Sequence, residues 1–117
     1  AVAAAPLRHL CRIRVEHAPG HTAGHAVFHI QSQGEKMLHM MDLAHHHLLM
    51  FAQVDWTIAF DHDPETAVQT RRRIYTQAAA EKTRVYGFHL PWPGIGRILS
   101  LSPQQYVWHP ERYSWDG

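Results

Sequence analysis

Three residues able to bind a metal stand at wide intervals in this chain: His21, Asp42 and His89. The first sits in Pro19-Gly20-His21-Thr22-Ala23-Gly24-His25, the second in Met40-Met41-Asp42-Leu43, the third in Gly87-Phe88-His89-Leu90-Pro91. Neutral imidazole and carboxylate are good zinc ligands, and one aspartate can bridge two ions through separate oxygens. A catalytic zinc also keeps one position open for water, whose pKa it lowers to about 7. Each of the three lies where a strand is expected to end, and there an α/β sheet presents chemistry to a crevice. The plain alternative is three unrelated residues. Their order, their gaps of 21 and 47 positions and the strand–loop context of each weigh against it.

The elements that must position them follow from periodicity. Leu10 to Val15 alternates apolar and charged residues and predicts a strand. Pro19-Gly20 breaks it and delivers His21 into a turn. Ala26, Phe28 and Ile30 alternate with Val27, His29 and Gln31, so 24–32 is a second strand. Gln33-Gly34-Glu35 is a hairpin turn, and Lys36 to Met41 a third strand ending at Asp42. Leu43 to Phe60 is apolar without a clear period, part helix and part loop. The spacing predicts a helix over 64–82: Asp63 can cap the free amides, Pro64 suits the first helical position, and Ala67, Ile74 and Ala78 share a stripe. Thr83 to Leu90 is a further strand, which Pro91 and Pro93 cannot continue because proline lacks the ladder donor. Arg97 to Leu101 and Tyr106 to His109 form a closing hairpin. The class is α/β, a mixed sheet with one long helix and a C-terminal hairpin. One helix covers only one side, so an apolar face carried by Val27, Met37, Met40 or their alternates is expected to be bare.

The composition describes one ordinary domain: 117 residues, 45% hydrophobic, 18% charged, formal net charge +1. A chain of this length can bury roughly two-thirds of its unfolded surface, enough for a core. Near-neutral charge gives no pull towards nucleic acid or anionic lipid, and no apolar run reaches the roughly 18 residues of a membrane span. The single cysteine, Cys11, excludes an internal disulfide and fits a reduced compartment, which favours the cytoplasm. Residues 1–9 have the composition of a linker or a cut end, leaving 10–117 as the folded unit.

The Pro-Gly-His-Thr-x-Gly-His run, followed in order by Asp42 and His89, resembles the second half of the metallo-β-lactamase superfamily. The resemblance covers about residues 10–110. Within the superfamily the chain is most similar to the methyl parathion hydrolase and quorum-quenching lactonase-like branch, through Asp42-Leu43-Ala44-His45, Phe60-Asp61-His62-Asp63 and His89-Leu90-Pro91-Trp92-Pro93-Gly94-Ile95-Gly96. It implies half of an αββα sandwich and a centre of two zinc ions, or another divalent metal. In it His21, Asp42 and His89 are metal ligands, and Asp42 is the bridging, catalytic one. His45 matches a position near the pocket mouth, and Trp92 is a second substrate-pocket candidate. Thr22 and His25 hold the loop. The implied activity is hydrolysis of an ester, lactone or phosphoester by metal-bound hydroxide. One departure is Met41, where the family commonly has glycine. A larger one is the missing His-x-His-x-Asp-His motif, which appears nowhere in these residues.

The triplet His45-His46-His47 does not replace that motif, since Leu49 and Met50 stand where it would need Asp and His. Arg71-Arg72-Arg73 offers a phosphate patch on paper, but on one helix three successive residues point three ways, which favours a solvated face. Trp56, Phe60, Trp92 and Ile95 suit either a hydrophobic pocket or aromatic packing. Two functions of different class remain. One is part of a hydrolase for a small-molecule substrate, inactive alone, completed by a missing amino-terminal half or a second chain. The other is a non-catalytic zinc-binding or structural module that keeps the fold.

Overall fold

A computed structural model describes residues 10–113; the linker expected over 1–9 lies outside them. Six strands form one sheet in sequence order: β1 (Arg12–His17), β2 (Ala26–Ser32), β3 (Glu35–His39), β4 (Arg84–Tyr86), β5 (Ile95–Ser102) and β6 (Gln105–Pro110). Every neighbouring pair is antiparallel except β3–β4, which is parallel. A parallel pair needs a crossover, and the segment between β3 and β4 provides it with a short helix α1 (Leu49–Ala52) and a long helix α2 (Pro64–Ala80). The expected mixed α/β sheet with one long helix and a C-terminal hairpin is therefore present.

Helix α2 begins as its sequence dictates. The Asp63 side chain accepts from the Thr66 amide at 3.1 Å, Pro64 opens the first turn, and Glu65 meets the positive end of the helix dipole. Ala67, Ile74, Tyr75 and Ala78 are buried, and the last three join a core with Val27, Leu38, Val85, Ile98 and Trp108 from the sheet. Phe51 of α1 closes that core, its ring stacked on Tyr75 at 4.6 Å between centroids.

Several boundaries differ from the sequence reading. The strand expected over 83–90 stops at Tyr86, because Gly87 turns the chain away: its amide donates to Gly94 O at 3.1 Å. Ile95 and Gly96, expected in a loop, begin β5. The region 43–60 is mostly loop around the four residues of α1. The solvated reading of the arginine triplet is wrong for Arg71, which is 1% exposed. Its guanidinium donates to the carbonyls of Leu43, Val54 and Trp56 at 2.9, 2.8 and 2.7 Å, tying the 43–60 loop to α2. Arg72 pairs with Asp55 and Arg73 with Glu16.

Among the described residues no element covers the side of the sheet away from α2. Cross-strand partners point the same way, so Ile13 and Ile30, Val15 and Phe28, Ile30 and Met37, Tyr86 and Ile95, and Leu99 and Val107 share that side. Ile13 and Val15 are 62% and 60% exposed. Val27 and Met40, expected among the bare residues, are fully buried on the α2 side instead. Their sequence neighbours carry the bare face, the outcome of a period-two element with apolar residues on both sides. Among the described residues no helix is long and apolar enough to cross a membrane.

Candidate metal centre

The topology gathers the site at one end of the sheet. His39 and Tyr86 are partners on the parallel strands β3 and β4, and Asp42 and His89 each follow three residues later. Because those strands run in the same direction, both loops emerge side by side. His89 Nε2 donates to Asp42 Oδ1 at 2.8 Å. The antiparallel strand β2 starts at this same end, which brings in the loop Pro19–Gly24 before it, and α2, the crossover, begins here as well.

His21 is set by that helix end. Gly20 has φ of +134°, and a Cβ there would lie 2.3 Å from the Ala67 backbone, so only glycine lets the loop lie on α2. The Asp63 amide donates to Gly20 O at 2.9 Å, and Thr70 Oγ1 donates to Pro19 O at 2.7 Å. His21 Nδ1 donates to Asp61 Oδ1 at 3.0 Å, while Asp61 Oδ2 accepts from the Ile58 amide at 3.2 Å. A carboxylate behind a ligand histidine fixes its tautomer, here leaving Nε2 with its lone pair free. His25 is buried and rigid: Nδ1 donates to Ala18 O at 2.7 Å, and Nε2 accepts the Asp42 amide at 3.2 Å. It thereby joins the His21 loop to the Asp42 loop and has no lone pair left for a metal.

Asp42, His45 and His89 each offer a donor atom within 4.8 Å of the others. The His45 ring lies between two others, 4.7 Å from His21 and 4.7 Å from His89 between centroids. Burial, with the neighbouring His21 and His89, pushes the His45 imidazole down to about 4, so it is neutral at physiological pH. Its Nδ1 is buried with no hydrogen-bond partner among the described residues. A carboxylate and two imidazoles, one with an orphaned ring nitrogen, make a donor set that fits zinc.

The structure thus brings Asp42 and His89 into contact, places His21 one ring away behind His45, and moves His45 into the group. Trp92 stands apart: it is 81% exposed, and its ring packs against Tyr113 at 6.2 Å between centroids. Trp56 and Phe60 are also exposed. Met41, in the position the resemblance gives to glycine, takes a φ of 53°, the left-handed region that favours glycine. A groove of about 550 Å³ between α2 and β1–β3 contains none of these residues. Sequence reasoning missed Asp61 as the partner of His21. The available signal was an acidic residue two positions before a helix cap, in a loop that had to return to the site.

This fold is shared with hydrolases of the β-lactamase superfamily. No protein-family model and no curated protein matches the chain. Among solved structures, the hydrolase AbOPH of the beta lactamase superfamily is 31% identical with a TM-score of 0.84, over 87% of this chain and 35% of that one. AidC, a dizinc quorum-quenching lactonase solved with a product, N-hexnoyl-L-homoserine, is 35% identical with a TM-score of 0.84, over 87% of this chain and 34% of that one. A probable metal-dependent hydrolase from Staphylococcus aureus is 21% identical with a TM-score of 0.64, a likeness of fold alone. The chain spans about a third of the length of the structures it matches.

Proposed function

We propose that this chain supplies His21, Asp42 and His89 to a dinuclear zinc centre of a hydrolase acting on small esters, lactones or phosphoesters. In this reading the chain is the carboxy-terminal part of the fold. The remaining ligands and the cover for the bare face of the sheet come from an amino-terminal part or a second chain. The observation that carries it is the meeting of Asp42 and His89 at the ends of adjacent parallel strands, on a fold shared with a dizinc lactonase. Bound zinc supplies Lewis acidity, which acidifies water and stabilises negative charge developing on the substrate oxygen.

The chain's own residues do the positioning. Asp42 offers two carboxylate oxygens to the centre, and its loop is fixed through the bond between its amide and His25. Asp61 holds His21 through Nδ1, which leaves Nε2 to serve as the ligand atom. His45 and Trp92 are the substrate-contacting candidates. Alone, the chain lacks the other ligands of a two-metal site and is inactive as a hydrolase. The test is complementation. Co-expression with a segment bearing His-x-His-x-Asp-His should give chelator-sensitive hydrolysis of a lactone or aryl phosphotriester, and His89→Ala should abolish it. Chelator-sensitive turnover by the chain alone, lost in Asp42→Ala, would sink this reading.

A second reading, a non-catalytic zinc-binding module, is favoured by one observation: Asp42, His45 and His89 already group without any outside residue. It expects bound zinc and no hydrolysis even after complementation.

A further inference from the structure

We propose that the chain by itself forms a one-ion site for a first-row divalent metal from Asp42, His45 and His89, with His45 as a ligand rather than a wall of the substrate pocket. This rests on the metal-centre reading above but changes its ligand set, exchanging His21 for His45. The three donors lie within 4.8 Å of one another. Zinc bonds of about 2.0–2.2 Å put ligand atoms roughly 3.5–4 Å apart, so shifts of about 1 Å seat one ion, the 2.8 Å Asp42–His89 hydrogen bond giving way to metal bonds. Two imidazoles and a carboxylate form a borderline-soft set that suits zinc or cobalt(II) over magnesium or calcium.

The segment bearing His45 is built to aim it. Ala44 is fully buried, the Leu43 carbonyl is held by Arg71, and the His45 amide donates to Met50 Sδ at 3.1 Å. With its backbone fixed on both sides, the ring enters the crevice between His21 and His89, and its Nδ1 stays buried without a partner. A buried polar nitrogen left unpaired is costly, and a metal bonded at Nδ1 would remove that cost. His21, by contrast, stands behind His45 and is tied through Nδ1 to Asp61. Among the described residues the donor grouped with Asp42 and His89 is His45.

The experiment uses the untagged 117-residue chain, titrated with cobalt(II) by visible absorption and with zinc by calorimetry. One ion per chain is expected. His45→Gln and Asp42→Asn should each weaken binding about tenfold or more. His47→Gln, whose ring stacks on His46, should leave the affinity unchanged. As a gain-of-signal check, His45→Cys should retain cobalt and add an intense ultraviolet thiolate-to-metal band, with far-UV circular dichroism confirming the fold of each variant. If His21→Ala removes binding while His45→Gln does not, the His45 assignment is overturned and the hydrolase ligand set stands. An absence of saturable binding, or a His45→Cys variant that binds cobalt without the thiolate band, also overturns it. The hydrolase reading is judged separately, by the complementation assay.

Discussion

Asp42 and His89 are 47 positions apart in sequence, yet His89 Nε2 reaches Asp42 Oδ1 at 2.8 Å, each residue three beyond a paired residue of the parallel strands β3 and β4. The parallel register sets this distance. The segment between β3 and β4, with both helices, is the crossover that makes the register available. Residues packed on the crossover or within it can therefore govern the site from a distance, as Gly20 does against α2 and Arg71 does inside it.

Gly20→Ala should destabilise the chain by about 3 kcal/mol. A methyl group there meets the Ala67 backbone at 2.3 Å, which no rotamer change relieves, and φ of +134° is strained for any L side chain. The loop must then lift from α2, taking His21 with it and stretching the Asp61 contact. Urea unfolding reads the loss. A difference under about 1 kcal/mol would show that the loop does not depend on this close approach.

Arg71→Met should cost about 3 kcal/mol or more, because the carbonyls of Leu43, Val54 and Trp56 lose their shared donor in a buried setting. Arg71→Lys should not rescue it, since one ammonium cannot span three carbonyls held by a planar fork. Hydrogen exchange adds a local readout: amides of residues 43–56 should lose protection before those of β5 and β6. Uniform loss across the sheet would place the role of Arg71 in the core alone.

Glu16 gives a pH dependence. Burial raises its carboxyl pKa, but hydrogen bonds and charges from Arg73 and His29 outweigh this and leave it below the usual carboxylate value of 4.5. A carboxylate whose folded pKa is depressed contributes stability that is present above the unfolded value and is lost as pH falls through the folded one. Glu16→Gln should therefore be less stable than the parent by about 1 kcal/mol at pH 7. That gap should shrink as pH falls below 4.5 and close in stronger acid. A gap that persists at low pH would mean the substitution acts through packing.

Much of this was legible in the sequence because the cues were local. Period-two alternation marked β1 and β2, and Asp63-Pro64 marked the start of α2. The candidate residues were legible as types in order, and the structure brings two of them, Asp42 and His89, into contact. What could not be read was long-range. Arg71 and Arg72 are adjacent and identical, yet one is buried under three carbonyls and the other pairs with Asp55 at the surface. Only the path of the 43–60 loop decides between them, and that stretch has no period. His45 joined the metal group for the same reason: the turn that aims it depends on Met50 and Arg71. Strand lengths failed at β4, whose end is set by the Gly87–Gly94 contact and not by its apolar content.

The bare sheet face yields the last prediction. Ile13, Val15, Leu99 and Val107 are 62%, 60%, 44% and 37% exposed, and the half-buried Phe28, Ile30, Met37 and Ile95 fill the space between them on the same side. An exposed apolar surface spread over several strands is an interface or an aggregation liability. Burying each such side chain is worth about 1.5–3 kcal/mol, so association of two faces recovers several such terms at once. By itself the chain should self-associate at high micromolar concentration, seen as a mass above the monomer by light scattering. The double variant Val15→Lys with Leu99→Lys should be monomeric with the same far-UV circular dichroism, because both side chains point away from the α2 core. It should also lose complementation with the segment expected to cover this face. A parent chain that stays a monodisperse monomer under the same conditions would mean that this face needs no partner.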